Sequence, residues 1–214
     1  TDDQLANAIS TTVNDAGGAQ TGVTYLSFSG KKGEYSYGRK KTEIEESQLF
    51  LLEPAATIAG WTCWKDSKAA AKHSWTSVAA GADPSIKVRF GDLEEFGPYR
   101  SNSGDGWKPM LGIGLIDIDE LEVSIEFSST ATSAINGMKD LLQECAARLR
   151  KHEPAVPIIW LGRETFIAQG NENWKPNFNV EVWATREALE AYIAGKLTRE
   201  KLLEGKQPRK KRGS

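Results

Sequence analysis

Short segments with a two-residue apolar period dominate the first 127 residues, and this pattern restricts the chain to a fold built mainly from β-strands. In residues 23–28, aromatic and aliphatic side chains alternate between two faces. Glycines beside charged residues, at Gly30–Gly33 and Gly38–Lys41, separate the first segments as hairpin connections do. Tyr35 and Tyr37, then Ile44 and 49–52, continue the pattern, and further strands are predicted at 59–64, 73–78, 111–118 and 121–127. We therefore predict an α+β protein dominated by an antiparallel, barrel-like sheet.

A helical pattern occupies residues 132–151. Its apolar residues recur at steps of three and four, which places them on one helix face: Ile135, Met138, Leu142, Cys145 and Leu149. Thr132 or Ser133 is the predicted N-cap. A second helix is predicted over 185–203, with a break at Gly195.

A hairpin is predicted between the two helices. Its strands are residues 157–168 and 178–184, and its connection is Gly170–Asn177. Phe178, Val180 and Val182 are expected to face the same way because they lie two residues apart.

The 214 residues are predicted to form one domain, over residues 22–205. A leader rich in turn-forming residues precedes it at 1–21, and a basic tail follows at 206–214. Residues 91–109, rich in Gly, Pro, Ser, Asn and Asp, are predicted to form a long loop.

Charge is distributed unevenly along the chain. The net charge is −2, yet residues 206–214 contain five basic residues and no acid; without those five, 22 basic and 29 acidic residues give −7. A body of this charge argues against attraction of phosphates over the whole surface, so nucleic-acid binding would need a local basic groove. The tail is either a contact for nucleic acid or another anionic partner, or a solvated end.

Cysteine content and hydropathy indicate the compartment. A secreted disulfide scaffold would contain more cysteine than Cys63 and Cys145. We interpret both as reduced thiols in the cytoplasm, with one disulfide as the alternative. Thr1–Gln4 lack signal-peptide character, and no apolar run approaches the roughly 20 residues that span a bilayer. We expect no membrane partner.

Several motifs for catalysis or cofactor binding are absent. The two cysteines and the two histidines, His73 and His152, lack zinc-ligand spacing. Gly112-x-Gly114 lacks the remainder of a phosphate-binding loop, and instead predicts close packing or a bulge in a strand. No Gly-x-Ser-x-Gly motif is present. We predict no cofactor and no bound metal.

A Mg²⁺-dependent nuclease is the enzymatic alternative. Asp117, Asp119 and Glu122 cluster in sequence, and Glu164 could join them in the fold; hard cations prefer such carboxylate oxygens. The competing interpretation is a solvated turn between two apolar strands, where polar residues are expected in any case.

Aromatic and basic residues are interleaved between positions 25 and 75. The aromatic set is Tyr25, Tyr35, Tyr37, Trp61, Trp64 and Trp75, and the basic set is Lys31, Lys32, Arg39, Lys40, Lys41, Lys65, Lys68 and Lys72. This mixture is typical of proteins that bind single-stranded nucleic acid, where bases stack on aromatic faces and basic groups contact phosphates. The alternative is that these aromatics belong to the core of the sheet.

Two groups of motifs carry a resemblance to a known family. The first comprises Tyr35-Ser-Tyr-Gly38, Glu43-Ile44, Leu49-Phe50, Glu53-Pro54 and Gly60-Trp61-Thr-Cys-Trp64-Lys65-Asp66, and the second extends from Val156-Pro157-Ile158 to Trp183. Together they resemble phage-encoded single-stranded DNA-binding proteins of the OB-fold type. Many proteins with this function end in an acidic tail, whereas this chain ends in a basic one.

The resemblance implies an OB-like β-barrel with extra helices, mainly in the C-terminal third. It also implies a non-catalytic protein that binds single-stranded DNA in phage replication or recombination, in the host cytoplasm. Replication or recombination proteins and a second copy of the chain are then candidate partners. The candidate binding residues are Tyr35, Tyr37, Arg39, Lys40, Lys41, Trp61, Trp64 and Lys65. A nuclease and a structural or host-interaction protein remain the alternatives.

Overall fold

The computed structural model describes residues 23–38, 42–45, 47–65, 68–77, 107–121, 123–168 and 170–204. For Val23, Ala55, Trp64, Lys65 and residues 68–77 the description covers the backbone alone. The strands are β1 (Val23–Ser29), β2 (Glu34–Tyr37), β3 (Thr42–Glu43), β4 (Leu49–Lys65), β5 (Lys68–Ser77), β6 (Trp107–Asp117), β7 (Ser124–Ser129), β8 (Val156–Ala168) and β9 (Asn171–Ala184). The helices are α1 (Thr132–Arg150), α2 (Arg186–Ile193) and α3 (Arg199–Leu202). The predicted leader and basic tail lie outside the described residues.

These nine strands form one sheet in the order β3-β2-β1-β7-β6-β4-β8-β9, with β5 beside β4. Within it, β1 pairs parallel with β7 and the other pairs are antiparallel. The sheet curls into a half-barrel. This arrangement confirms the β-rich, barrel-like architecture expected from the two-residue period.

The long strand β4 changes neighbours along its length. Leu49–Leu51 pair with β8, whereas Ile58–Lys65 pair with β5. Along its other edge β4 pairs with β6, and the register of this pairing shifts between Glu53 and Ile58 of β4. The strand therefore bulges where one neighbour replaces the other.

Two glycines of β6 lie beneath this bulge. A Cβ at Gly114 would stand 2.6 Å from the Cβ of Ala56, and one at Gly112 would stand 2.7 Å from Cγ1 of Ile58. Neither distance is compatible with ordinary carbon contacts. The prediction that Gly112-x-Gly114 accommodates close packing or a bulge is confirmed.

Helix α1 covers one face of the sheet and forms the main hydrophobic core with it. Its buried residues are Ala134, Ile135, Met138, Leu141 and Cys145, and they pack with sheet residues such as Phe50, Ile113 and Phe127. The predicted helix is thus confirmed, with two corrections. Its N-cap is Ala131, rather than Thr132 or Ser133, and Leu149 is exposed beyond the buried face.

A second cluster, which includes Leu49, Leu51 and Ile158, packs with Leu202 and Leu203 at the C-terminal end of the described chain. Because Phe50 and Leu52 belong to the main core, the first part of β4 is buried on both faces. Such two-sided burial explains the continuous apolar run at 49–52.

The C-terminal helices are fixed by caps and side-chain contacts. Thr185 and Thr198 cap α2 and α3 by accepting backbone N–H bonds. The hydroxyl of Tyr192 donates to the carbonyl of Ile118 at 2.6 Å. The predicted break is confirmed, since Gly195 has φ 68° and separates the two helices.

Other predicted boundaries are wrong. Strand β9 begins at Asn171, so the predicted connection Gly170–Asn177 is mostly strand. Pro176 is compatible with that strand because β9 lies at the edge of the sheet order, where a missing N–H can be tolerated. Strand β6 begins at Trp107, inside the predicted loop, while residues 78–106 lie outside the described ranges. Strand β7 begins at Ser124, three residues later than expected.

A bulge in β9 also changes its facing pattern. Ile158 pairs with Val182 and Ile159 pairs with Val180, which leaves Glu181 as the extra residue. Val180 therefore packs against the main core and Val182 against the second cluster. The prediction that Phe178, Val180 and Val182 share one face is wrong because it assumed an uninterrupted strand.

No helix among the described residues is long and apolar enough to cross a membrane.

Candidate nucleic-acid interface

The first predicted stacking residue, Tyr35, lies in the main core. Its side chain is 8% exposed, and its ring packs against Phe28 with centroids 4.7 Å apart. Its hydroxyl donates to the carbonyl of Gly162 at 2.8 Å. A base cannot reach a ring held in this way, so Tyr35 acts as a core residue and not as a stacking residue.

The remaining predicted aromatics have different positions. Tyr37 is half-buried and packs against the main core from β2. Trp61 is half-buried on β4, opposite Pro109 of β6. Only the backbone of Trp64 and of Lys65 is described, at the end of β4. Arg39, Lys40 and Lys41 lie outside the described residues.

The structure instead brings two distant hairpins together. The backbone N–H of Trp174, on β9, donates to the carbonyl of Gly30, in the β1–β2 turn, at 2.8 Å. The Trp174 ring lies against Gly33, where an added Cβ would stand 2.6 Å from Cδ2. Gly33 also has φ 71°, which favours glycine. Only a glycine satisfies both the turn and the ring contact.

Arg163, on β8, joins the same contact. Its Nη1 donates to the carbonyl of Gly33 at 2.9 Å, and its guanidinium carbon lies 5.2 Å from the centroid of the Trp174 ring. Such a cation–π pair is stabilising by about 0.5–1 kcal/mol where exposed. Arg163 nevertheless remains an exposed residue. We term the turn at residues 30–33 together with Arg163 and Trp174 the hairpin junction.

The hairpin junction is basic, although acids lie nearby. Lys32 lies 3.7 Å from Glu34, and on the opposite face of the β8–β9 hairpin Lys175 lies 3.1 Å from Glu164. Lys31 is exposed and has no ion pair within the described part of the chain. Because exposed pairs of this kind contribute only about 0–1 kcal/mol, neither carboxylate holds its lysine firmly.

Sequence patterns identified the lysines of this turn but missed Arg163. The sequence pattern predicts a hairpin connection at Trp174 and so does not indicate its pairing with β8. With β9 beginning at Asn171, Thr165 pairs with Trp174, and this register places Arg163 diagonally across from the ring. No local pattern in the sequence indicates this pairing.

Two of the carboxylates proposed for a metal site, Asp117 and Asp119, are engaged in local contacts. Asp117 accepts bonds from Nε2 of Gln48 and from the backbone N–H of Asp119, the latter at 2.8 Å. Asp119 lies 2.9 Å from Nε of Arg199. Among the described residues, which exclude Glu122, no group of three His, Cys, Asp or Glu side chains could hold a metal ion. Asp117 therefore stabilises the turn after β6.

Neither cysteine offers a reactive thiol. Cys63 and Cys145 are both buried and free, as predicted for reduced thiols. Burial raises the pKa of the Cys145 thiol to about 11, and the neighbouring Glu144 adds to this shift. The thiolate that would act as a nucleophile is therefore scarce near neutral pH.

Comparison with known proteins gave no match: no family model, curated protein or solved structure matches this chain.

Proposed function

We propose that the protein binds single-stranded DNA without catalysing a reaction on it, and that the hairpin junction is the contact surface. The observation that supports this most is the position of Arg163. Its guanidinium is held by the Gly33 carbonyl and the Trp174 ring while the residue stays exposed.

A guanidinium held in this way can serve as a platform for a base. Unpaired bases stack on aromatic rings and on Arg guanidinium planes, at about 1–3 kcal/mol per base for aromatic platforms. Because two contacts already restrict Arg163, stacking would order the side chain at a smaller entropic cost than for a free arginine. Lys31 and Lys32 lie in the adjoining turn, where they can contact the phosphates.

The wider role belongs to the same proposal. An OB-type barrel presents strand faces and loops to a single strand, and the resemblance in the Gly60–Asp66 segment suggests phage replication or recombination in the host cytoplasm. Trp61, Trp64 and Lys65 on β4 would provide a second contact area. Replication proteins or a second copy of the chain are the partners that such a role implies.

A gel-shift experiment tests the proposal. Labelled single-stranded and double-stranded probes are incubated with wild-type protein, Arg163→Ala and Arg150→Ala, with and without Mg²⁺. Arg150 is an exposed arginine at the end of α1 and serves as a charge-matched control. We expect retarded, intact single strand, about tenfold weaker binding for Arg163→Ala, and a smaller effect for Arg150→Ala. Equal losses in the two variants would contradict this contact surface.

The same experiment separates the alternatives. Cleavage that requires Mg²⁺ and disappears in Asp119→Ala would indicate a nuclease. Absence of both binding and cleavage would indicate a structural or host-interaction protein.

Salt dependence provides a second measure of the contact. On single strands the logarithm of the affinity should fall with the logarithm of salt concentration by about 0.7 per phosphate contact. Lys31→Gln should reduce this slope by about 0.7, because it removes one phosphate contact. Stacking on Arg163 should leave a component of the affinity that persists at high salt.

A further inference from the structure

Beyond its pairing with β4, the β8–β9 hairpin continues as a two-stranded arm, whose near part contacts the β1–β2 turn. Strand β4 pairs with β8 only at Ile158–Trp160, whereas the β8–β9 pairing continues to Ala168↔Asn171. Residues directly opposite each other share a face. Arg163↔Pro176, Thr165↔Trp174 and Ile167↔Glu172 therefore lie on one face of the arm.

This face carries three side chains in a row toward the tip: Arg163, Trp174 and Ile167, which we term the arm strip. Ile167 is 81% exposed, the highest value among the exposed large apolar residues of the described chain. A single exposed aliphatic residue is ordinary in itself. Ile167 lies at the end of a strip that begins with a fixed guanidinium, so a ligand stacked on Arg163 and following the strip would meet it next.

We infer that the arm strip binds an unpaired DNA segment of about four nucleotides, with one base on Arg163 and another against Ile167, and that it prefers thymine to uracil. This inference rests on the proposed function. Ile167 lies four residue steps after Arg163 along β8, a length of about 13 Å. Stacked nucleotides advance about 3.4 Å along a strand, so about four of them cover the strip.

The chemistry of the tip favours a base over a phosphate. Glu172 lies directly across from Ile167 and is exposed, so its carboxylate repels the backbone and leaves the apolar side chain to a base. Thymine differs from uracil by its C5-methyl group, which makes apolar contacts with protein side chains. Removing one methyl group from water corresponds to about a fourfold gain in affinity.

Octamers of deoxythymidylate and deoxyuridylate test this inference, because they differ only in that methyl group. Fluorescence anisotropy should show about fourfold tighter binding of the thymine octamer by the wild type. Ile167→Ala should abolish this preference, and Ile167→Leu should retain it. Ile193→Ala, which removes another exposed aliphatic residue, should leave the preference unchanged. A thymidine dinucleotide is too short to reach both ends of the strip and should bind wild type and Ile167→Ala equally.

The outcomes distinguish this inference from the proposed function. Equal affinity of the wild type for both octamers, with binding still dependent on Arg163, would overturn the role of Ile167 and leave single-strand binding intact. A preference that survives in Ile167→Ala would overturn it as well, since the methyl group would then be recognised elsewhere. Binding of neither octamer would refute both proposals. Thermal melting of each variant verifies that these exposed substitutions leave the fold unchanged.

Discussion

The hydroxyl of Tyr35 donates a hydrogen bond to the carbonyl of Gly162, 2.8 Å away and 127 residues later in the chain. Tyr35 lies on β2 and Gly162 on β8, each the second strand from its end of the sheet order. Burial raises the pKa of Tyr35 well above its ordinary value, against a smaller lowering by the backbone of Asn177. The phenol therefore remains a neutral donor, and it links the two sides of the half-barrel.

Tyr35→Phe should lower the free energy of unfolding by about 0.5–1.5 kcal/mol, because this substitution removes the bond and keeps the ring packing. Tyr37→Phe is the matched control: Tyr37 is half-buried, and its hydroxyl forms no hydrogen bond within the described part of the chain. Urea unfolding measures both. Equal effects in the two variants would show that the Gly162 bond contributes nothing specific.

Gly33→Ala and Gly38→Ala separate backbone strain from contact with Trp174. Both glycines have φ 71°, so each substitution should cost about 1–2 kcal/mol of stability. At Gly38 the nearest atom to a new Cβ is 3.9 Å away, whereas at Gly33 the Trp174 ring lies at 2.6 Å. We expect a larger loss of stability for Gly33→Ala, together with weaker single-strand binding in this variant alone. If both variants bind DNA equally well, the hairpin junction is not the contact surface.

The bulge over β6 makes Gly114 intolerant of a side chain. Gly114→Ala would place its Cβ 2.6 Å from that of Ala56, and relief requires backbone movement that costs about 1–3 kcal/mol. Gly137→Ala, in α1, meets Phe178 at an ordinary 3.4 Å and gains helix propensity of up to about 1 kcal/mol. The melting temperature should therefore fall for Gly114→Ala and rise for Gly137→Ala. A Gly114→Ala protein as stable as the wild type would contradict the described packing of the bulge.

Glu53 predicts a pH-dependent effect on stability. Burial raises the pKa of this carboxyl from its ordinary 4.5, although Arg186 partly opposes the shift. A raised folded-state pKa means that the folded chain binds the proton more tightly, so stability falls as pH rises through that value. Glu53→Gln should stabilise the protein at neutral pH, and the difference should vanish below about pH 4. Urea titrations at both pH values measure the free energy of unfolding of the wild type and of Glu53→Gln. If the two proteins differ by the same amount at both pH values, ionisation of Glu53 does not cause the difference.

Thiol labelling checks the burial of the cysteines. Because Cys63 and Cys145 are buried, a thiol reagent at neutral pH should modify neither in the folded protein and both in urea. Rapid labelling without denaturant would contradict this packing, and labelling of neither thiol in urea would indicate a disulfide.

The sequence predicted elements whose signals are local. Helix α1 and the break at Gly195 follow from residue patterns within a few positions. Gly112-x-Gly114 indicates close packing or a bulge because glycine inside a strand often marks one of these features. The sequence predicts Tyr35 as a stacking residue rather than a core residue for a different reason. A two-residue period shows that Tyr35 and Tyr37 share a face, but not that α1, about 100 residues later, helps to form the core on that face.

The hairpin junction depends on contacts that no local pattern reports. Gly30 and Trp174 lie 144 positions apart, and their meeting depends on the curl of the entire sheet. The bulge at Glu181 is equally invisible in sequence, because one extra residue exchanges the faces of every residue beyond it. Register and curvature therefore determine the candidate site, and both arise only when all strands are paired.

The parallel pairing of β1 with β7 also constrains the order of events during synthesis. Val23 finds its partner, Ser124, only after about 100 more residues have been made, which takes about 5–20 s at ordinary translation rates. Until then the β1–β2 hairpin cannot join the sheet, and its apolar face, with Leu26 and Phe28, stays without its final cover. Contacts this distant in sequence make folding slow and expose intermediates to aggregation. The nascent chain should therefore need protection from a chaperone at this stage more than the finished protein does.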